Sequence, residues 1–301
     1  MLTYFEKQPD TPHFQAVTDP SKNTSLIQGN TVSKSELRFV AEHFELDYNI
    51  LQDVFDTDEI PRVEQRDGAL YVFVRAARRG QHGKVITTPV LFAAKGGSFI
   101  NISTADPSQY AIVSPTDVNA NLLLDAFQNV LEKYKELIYQ TSQRITDTSN
   151  RLRTHEVTNA DFVHFVTVED NLTTYSMSLK TMLIVAERLK ETFKTGSDIE
   201  TVEDMALYIR QLLFSIESQS QSVNSIRNAY STIANNTLNQ RMKTLTVFTV
   251  LIALPNVVYG MYGMNVKLPL QDFIGAYWII MPTSILLVLV VFFIGKRLKV
   301  F

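Results

Sequence analysis

The sequence predicts an α+β membrane protein with an N-terminal α/β domain, a hairpin of long helices, a stalk helix continuous with a first transmembrane helix, and a second transmembrane helix. Three observations predict this fold. Short apolar runs alternate with turn residues in residues 1–115. Glycine and proline are rare in the following 140 or so residues. Two uncharged apolar runs, each long enough to cross a bilayer, lie near the C-terminal end.

Composition excludes several classes of function. The net charge of −3 gives no overall signal for nucleic acid, and the absence of cysteine excludes disulfides and thiolate metal sites. No G-x-G-x-x-G or Walker sequence occurs, so we expect no nucleotide. The five histidines never pair at helical spacing, and no catalytic constellation is present, so we expect no enzyme. The first residues lack the basic and apolar regions of a signal peptide, which predicts a cytoplasmic first domain.

The first domain, residues 1–115, is predicted from strand patterns and one helix start. Ser33 and Glu36 form a capping box, and the helix that follows buries an apolar face of Leu37, Val40, Ala41 and Phe44. The segment between Gly80 and Gly83 is expected to be a basic hairpin loop. The predicted strands are Leu2 to Phe5, His13 to Val17, Ala69 to Ala77, Val85 to Ala93 and Ser98 to Ser103.

Residues 116–197 are predicted to form a helical hairpin, with helices over 116–153 and 158–194. Val157 to Asn159 is the expected turn, with Asn159 as a candidate N-cap. The break at Gly196 to Asp198 ends the hairpin. The apolar seam of the first helix has helical spacing and comprises Leu123, Leu124, Phe127, Val130, Leu131, Tyr134, Leu137, Ile138 and Ile145.

Residues 198–243 are predicted to be a stalk. Neither glycine nor proline occurs from Asp198 until Pro255, which allows one helix of about 60 residues and about 90 Å. Its polar part is rich in Ser, Gln and Asn, which are weak helix formers when exposed. Interhelical hydrogen bonds between copies would satisfy them, so the pattern favours an oligomer.

The membrane spans are predicted at 244–266 and 276–295, joined by an external loop at 267–275 and followed by a basic tail at 296–301. Arg241 and Lys243 precede the first span, and Lys296, Arg297 and Lys299 follow the second. The positive-inside rule then places both termini in the cytoplasm and the loop outside the cell membrane.

The first span carries one face of small or polar residues at steps of three and four. This face has two interpretations: close helix packing, which small residues permit, or the wall of a pore formed by several copies. Asn256 favours the pore, because an amide within lipid must find polar partners. The face comprises Thr246, Thr249, Ala253, Asn256, Gly260 and Gly263.

The tripeptide Gly263-Met264-Asn265, between two spans and before a basic tail, resembles the signature of the CorA family of magnesium channels. The run from Asn239 to Thr246 is similar to the family's inner-mouth sequence. Weaker similarity appears at Pro61 to Glu64, at Leu70 to Arg75 and at Leu124 to Phe127. The resemblance therefore covers most of the chain, but its specific motifs lie in the last 65 residues or so.

The resemblance implies a homopentameric channel in a cell membrane, with Mg²⁺, and also Co²⁺ or Ni²⁺, as the transported cations. Gly263, Met264 and Asn265 would form the selectivity filter, with Asn265 ringing the outer entrance. Met242 and Leu245 would form a hydrophobic gate, which we expect to widen when the cytoplasmic domains move apart. The conduit would be lined by Gly260, Asn256, Ala253, Thr249 and Asn239.

The family also senses cytoplasmic Mg²⁺, which the resemblance would assign to Asp204 as a regulatory ligand. Two departures weaken that assignment: the hairpin at 78–88 is basic and offers no partner acid, and the two long helices carry less acid than the family leads us to expect. The external loop departs as well, because Lys267 follows the motif where an acidic loop would attract cations better, and this bears on cation affinity rather than on the pore. Two alternatives stay open. One is a zinc transporter similar to ZntB of the same superfamily, against which Met264 argues. The other is a membrane-anchored scaffold or sensor that transports nothing.

Overall fold

The computed structural model describes residues 2–7, 14–21, 24–104, 121–153, 159–193, 196–270 and 272–297, without side chains for 152–162. The chain divides into two compact units, an N-terminal unit (Met1–Ile226) and a C-terminal unit (Arg227–Phe301). Several predicted features fall outside the described residues: His13, residues 116–120, the turn at Val157 and Thr158, and Lys299 in the basic tail.

A mixed seven-stranded sheet organises the N-terminal unit, in the order β2-β1-β3-β7-β6-β5-β4. β3 and β7 pair in parallel, and the other described neighbours are antiparallel. The five predicted strands are present, and β1, β5 and β6 extend two residues beyond their predicted ends, whereas β3 and β4 were not predicted. The strands are β1 Leu2–Lys7, β2 Phe14–Val17, β3 Thr24–Asn30, β4 Arg62–Arg66, β5 Ala69–Arg79, β6 Val85–Lys95 and β7 Ser98–Ser103.

The two faces of the sheet bury separate apolar cores. Along β5, Tyr71 and Phe73 point into one core with the short helices α1 (Lys34–His43) and α2 (Tyr48–Gln52). Val72 and Val74, on the alternate positions, point into the other core with the long helices. Side chains alternate across a strand, so a central strand between two helical layers is apolar at nearly every position.

The start of α1 confirms the predicted capping box. The Ser33 hydroxyl accepts a hydrogen bond from the Glu36 backbone N–H, and the Glu36 carboxylate accepts one from the Ser33 N–H at 2.8 Å. The hydrogen bond from the Ser33 backbone is the main reason that the pKa of Glu36 lies below its usual value. Leu37, Val40 and Ala41 are buried as predicted, whereas Phe44 is half-buried at the helix end.

Three long helices cover the second face: α3 (Leu122–Arg153), α4 (Asn159–Thr192) and the first part of α5 (Ser197–Tyr262). The whole predicted seam of α3, from Leu123 to Ile145, is buried. α3 begins at Leu122, where the Asn121 side chain accepts from the Leu123 N–H at 3.2 Å and so caps the helix.

Polar contacts fix the directions of these helices. α4 and α5 are antiparallel, since Arg210 pairs with Glu187 at 2.7 Å and Lys190 with Glu203 at 3.2 Å. α3 and α5 are parallel, since Asn121 donates to Asp198 at 3.0 Å and Tyr208 donates to Glu132 at 2.8 Å. The antiparallel arrangement of α3 and α4 follows from these two relations.

The C-terminal unit contains the later part of α5 and the helix α6 (Ala276–Arg297). α5 has 66 residues and continues past Pro255, where proline removes one helical hydrogen bond without ending the helix. Both helices are long and apolar enough to cross a membrane, with mean hydropathies of 1.7 and 2.5 in their most apolar windows. Of the residues in these two windows, 0% and 6% are buried, whereas the core helices of soluble proteins are mostly buried.

Candidate functional site

The tripeptide Gly263-Met264-Asn265 lies immediately beyond the C-terminal end of α5. The Gly263 N–H donates to the carbonyls of Tyr259 and Gly260 at 3.1 and 3.2 Å, which tightens the last turn, and the helix ends at Tyr262. The first span, predicted to run to residue 266, is therefore helical only to Tyr262. All three side-chain positions of the tripeptide are exposed.

The loop after the tripeptide is held against the helix end. The Tyr262 hydroxyl donates to the carbonyl of Pro269 at 3.2 Å, across seven residues. Lys267, two residues after Asn265, is exposed, and so is Asp272. The Asn265 position is thus fixed by a closed last turn on one side and a tied loop on the other.

The predicted polar face of the first span is exposed along its whole length. Its hydroxyls bond back to their own helix: Thr246 donates to the Met242 carbonyl and Thr249 to the Leu245 carbonyl, both at 2.9 Å. Such bonds keep threonine hydroxyls satisfied in an apolar setting. Its six positions are Thr246, Thr249, Ala253, Asn256, Gly260 and Gly263. The residues that the family resemblance assigns to the gate and the inner ring, Met242, Leu245 and Asn239, are exposed as well.

The opposite face of α5 packs against α6. The Tyr259 hydroxyl donates to the Ser284 hydroxyl at 2.9 Å, and buried Ser284 donates in turn to the Met281 carbonyl at 2.8 Å. Tyr259 lies at the margin of this packed face, whose half-buried positions recur at helical spacing: Val247, Leu251, Leu254 and Val258.

The polar face and the packed face therefore point in opposite directions. At 100° per residue, their centres are about 160° apart around the helix axis. α6 covers the packed face and leaves the polar face open. In the described part of the C-terminal unit, packing between α5 and α6 therefore does not explain why the residues of the polar face are small or polar.

The oxygens along the polar face and at the tripeptide are uncharged. The sequence has no Asp or Glu between Glu217 and Asp272, so no carboxylate lies on α5 within the first span or just before it. The available ligands are the amides of Asn239, Asn256 and Asn265, together with backbone carbonyls near the helix end. Neutral oxygens of this kind hold a hydrated divalent cation through its water molecules, without the firm capture that carboxylates give.

Asp204 lies apart from this face, in the N-terminal unit. It borders a cavity of about 400 Å³ between α3 and α5, with Glu132 and Tyr208 among its lining residues. Glu132 is already engaged, because it accepts from the Tyr208 hydroxyl and pairs with Lys135 at 3.4 Å. Among the described residues, no group of three or more His, Asp and Glu side chains could hold a metal.

The comparison with known protein families shows the family of this chain. The model of the family described as CorA-like Mg²⁺ transporter protein matches residues 27–297, nearly the whole chain. The chain belongs to this family. CorA-like proteins are membrane transporters of divalent cations and not enzymes. The two apolar helices of the C-terminal unit agree with a membrane location.

Individual relatives are more distant. The Cobalt/magnesium transport protein CorA of Methanocaldococcus jannaschii is 27% identical over 117 residues, which are 38% of this chain and 37% of that protein. The complete structure of a CorA magnesium transporter from the same organism matches with a TM-score of 0.83 at 18% identity, over 99% of this chain and 98% of that one. The structure of the full-length CmaX protein matches with a TM-score of 0.69 at 14% identity, over 99% and 97%.

Sequence reasoning found the residues of the polar face but missed the contacts that orient it. The Tyr259–Ser284 hydrogen bond joins positions 25 residues apart in different spans. The one available signal was a tyrosine and a serine inside otherwise apolar runs, since buried hydroxyls need partners. Their pairing could not be deduced, because each span offers several hydroxyls.

Proposed function

We propose that this protein is a Mg²⁺ channel, also permeable to Co²⁺ or Ni²⁺, through which the cation enters the cell down the membrane potential. The observation that supports this most is the polar face of α5, which lies opposite α6 and leads to the exposed Asn265. A divalent cation gains about 4.6 kcal/mol per 100 mV on entering a negative interior, twice the value for a single charge. The membrane potential can therefore drive cation entry without nucleotide hydrolysis.

One copy of the polar face cannot enclose a passage, so the channel needs several copies of the chain. We propose a homopentamer, as the family resemblance implies, in the lipid bilayer of the cell membrane with both termini in the cytoplasm. The α5 helices would surround the axis, and the α6 helices, on the opposite side, would face lipid. The exposed apolar side chains of α6, such as Leu286 and Phe293, suit that outer position.

Asn265 would hold the cation at the outer entrance. Mg²⁺ releases its water reluctantly, so a ring of amide oxygens that bonds to the water shell recruits the ion at low cost. Asn256 would repeat this contact deeper in the span. Because neither group is charged, the ion leaves each ring readily, which conduction requires.

The test is cation uptake by the full chain in proteoliposomes with an imposed potential, inside negative. We expect Mg²⁺ uptake, and we expect Asn265→Ala to reduce it at least tenfold, whereas Asn49→Ala, an exposed amide far from the spans, leaves it unchanged. Unchanged uptake in Asn265→Ala would contradict the proposal. Zn²⁺ outcompeting Mg²⁺ would favour a ZntB-like zinc transporter, and no uptake of any cation would favour a scaffold or sensor.

Met242 and Leu245 would close the passage. They lie one turn apart on the same side of α5 as the polar face, and they are 57% and 64% exposed in one chain, so copies of these side chains could meet at the axis. A ring of apolar side chains excludes water and stops ions by dewetting.

If Met242 and Leu245 form the gate, removal of their side chains should increase Mg²⁺ flux. Replacing Met242 and Leu245 together by Gly should raise basal Mg²⁺ uptake several-fold in proteoliposomes, because the ring could no longer exclude water. Leu286→Gly, which removes an equally exposed leucine from α6, is the matched control and should have little effect. Equal basal uptake in the double variant and the original protein would count against the gate.

A further inference from the structure

A groove runs along the side of α5 where this helix meets the last turns of α6, wholly within the C-terminal unit. Its volume is about 1100 Å³. The wall changes character along its length: amide and ammonium groups line one end, and aliphatic side chains line the other. The residues that define it are Asn236, Gln240, Lys243, Val247, Val250 and Val291, and one edge reaches Asn239 and Met242.

The polar end of the groove lies among basic residues without acidic neighbours. Ser284 contacts Tyr259 and Val291 borders the groove beside Val250, so the two helices run antiparallel and Lys296 and Arg297 lie near this end. Together with Arg241 and Lys243 they are exposed, and none forms an ion pair within the described residues of this unit.

No carboxylate side chain of the unit can neutralise these charges. The only acidic residue after Glu217 is Asp272. Asp272 follows the far end of α5, and the helix from Lys243 to Tyr262 alone spans about 28 Å. The basic end of the groove therefore carries positive charge that no carboxylate side chain of the unit offsets.

The dimensions of the groove fit a single phospholipid. From Asn236 to Leu251, α5 rises about 22 Å at 1.5 Å per residue. One leaflet, taken as half of a bilayer with its headgroups, is about 20–22 Å thick. The polar end matches a headgroup in length and charge, and the aliphatic end matches an acyl chain.

We propose that this groove binds one anionic phospholipid of the surrounding membrane, with its phosphate at Lys243 and Gln240 and an acyl chain along Val247, Val250 and Val291. The lipid supplies the negative charge that the unit lacks. The binding itself does not depend on which cation, if any, the protein transports.

Native mass spectrometry of the purified full chain, titrated with phosphatidylglycerol or phosphatidylcholine, tests the site. We expect phosphatidylglycerol to be retained preferentially. Lys243→Gln should weaken its retention about fivefold, the effect of one basic residue near an anionic headgroup. Val250→Trp, which fills the aliphatic end without changing charge, should also weaken it, and Lys243→Arg should retain it. Lys267→Gln, which removes the same charge beyond the other end of α5, should have no effect.

Three results would overturn the proposal. Equal retention of the two lipids would show that the headgroup charge is not recognised. If Lys267→Gln and Lys243→Gln reduced the retention of phosphatidylglycerol equally, the lipid would be attracted diffusely to basic residues rather than bound at a site. Displacement of phosphatidylglycerol by millimolar inorganic phosphate would show that a free anion, and not a membrane lipid, is the ligand.

Discussion

Asn171 is the residue that joins the tip of the β5–β6 hairpin to the long helices. Its side chain accepts from the buried Val85 N–H at 2.7 Å and donates to the Gly83 carbonyl at 2.9 Å. Both partners are backbone groups at the end of a hairpin whose turn includes a left-handed residue, His82. A single amide on α4 thus satisfies a donor and an acceptor that the sheet leaves unpaired.

We predict that Asn171→Ala destabilises this contact by about 1–3 kcal/mol, because the Val85 N–H would lose its partner in a buried position. Hydrogen–deuterium exchange of the full chain in detergent should show faster exchange at residues 80–86. Thr173→Ala, two residues along the same helix and exposed, is the control. Identical exchange at the hairpin in Asn171→Ala and the original protein would show that the amide does not hold it.

At this scale the sequence predicts local contacts well and distant ones poorly. The Ser33–Glu36 capping box spans three residues, and its geometry follows from the pattern alone. The Asn171 contacts span 86 and 88 residues, and nothing near Asn171 in the sequence distinguishes it from an exposed helix asparagine. Polar residues on helices have many possible partners, and only the packed fold selects one.

At the scale of elements, α3 is anchored to the sheet through Tyr134. The ring is fully buried among the long helices, meets Tyr175 edge-on at a centroid distance of 6.1 Å, and its hydroxyl donates to the Arg75 carbonyl on β5 at 2.9 Å. Burial raises the pKa of Tyr134 well above its usual value of about 10. Burial also raises the pKa of Tyr175.

These shifted pKa values predict a loss of stability at alkaline pH. Above about pH 10 the unfolded chain loses the tyrosine proton while the folded chain keeps it, so the free energy of unfolding falls as pH rises. Below about pH 9 both states are protonated, and this contribution is constant. Denaturant titrations of the full chain between pH 8 and pH 11.5 should show the fall.

Tyr134→Phe should reduce the slope of that fall, and it should cost about 1 kcal/mol at neutral pH through the lost hydrogen bond. Tyr139→Phe changes a residue that is 63% exposed on the same helix, and it should alter neither quantity. An unchanged alkaline slope in Tyr134→Phe would show that its ionisation does not limit the stability of the fold.

Element prediction succeeded where one face of an element is apolar. The seam of α3 has a clear helical period, and every predicted member is buried. β3 was missed because it is an inner strand, buried on both sides, and it lacks the alternation that marks a half-buried strand. β4 was missed for the opposite reason: it is an edge strand with charged residues at Arg62, Glu64 and Arg66, and its pairing with β5 places it in the sheet.

At the scale of the whole molecule, membership of the CorA-like family gives the architecture, and the polar face of α5 gives the proposed function. The sequence predicted both apolar spans and the residues of that face, because hydropathy and helical spacing are properties of contiguous segments. It left open whether the face packs against another helix of the same chain. The half-buried positions Val247, Leu251, Leu254 and Val258 lie on the other side of α5, which favours the pore interpretation.

The most direct test of this account uses the absence of cysteine from the chain. Single cysteines can be placed at Ala253, on the polar face, and at Leu286, an exposed position of α6 on the side away from Ser284. In membranes under mild oxidation, we predict that Ala253→Cys gives disulfide-linked dimers and reacts with a charged, water-soluble thiol reagent, and that Leu286→Cys does neither. Cross-linking and labelling at Leu286 but not at Ala253 would contradict a shared, water-filled passage lined by α5.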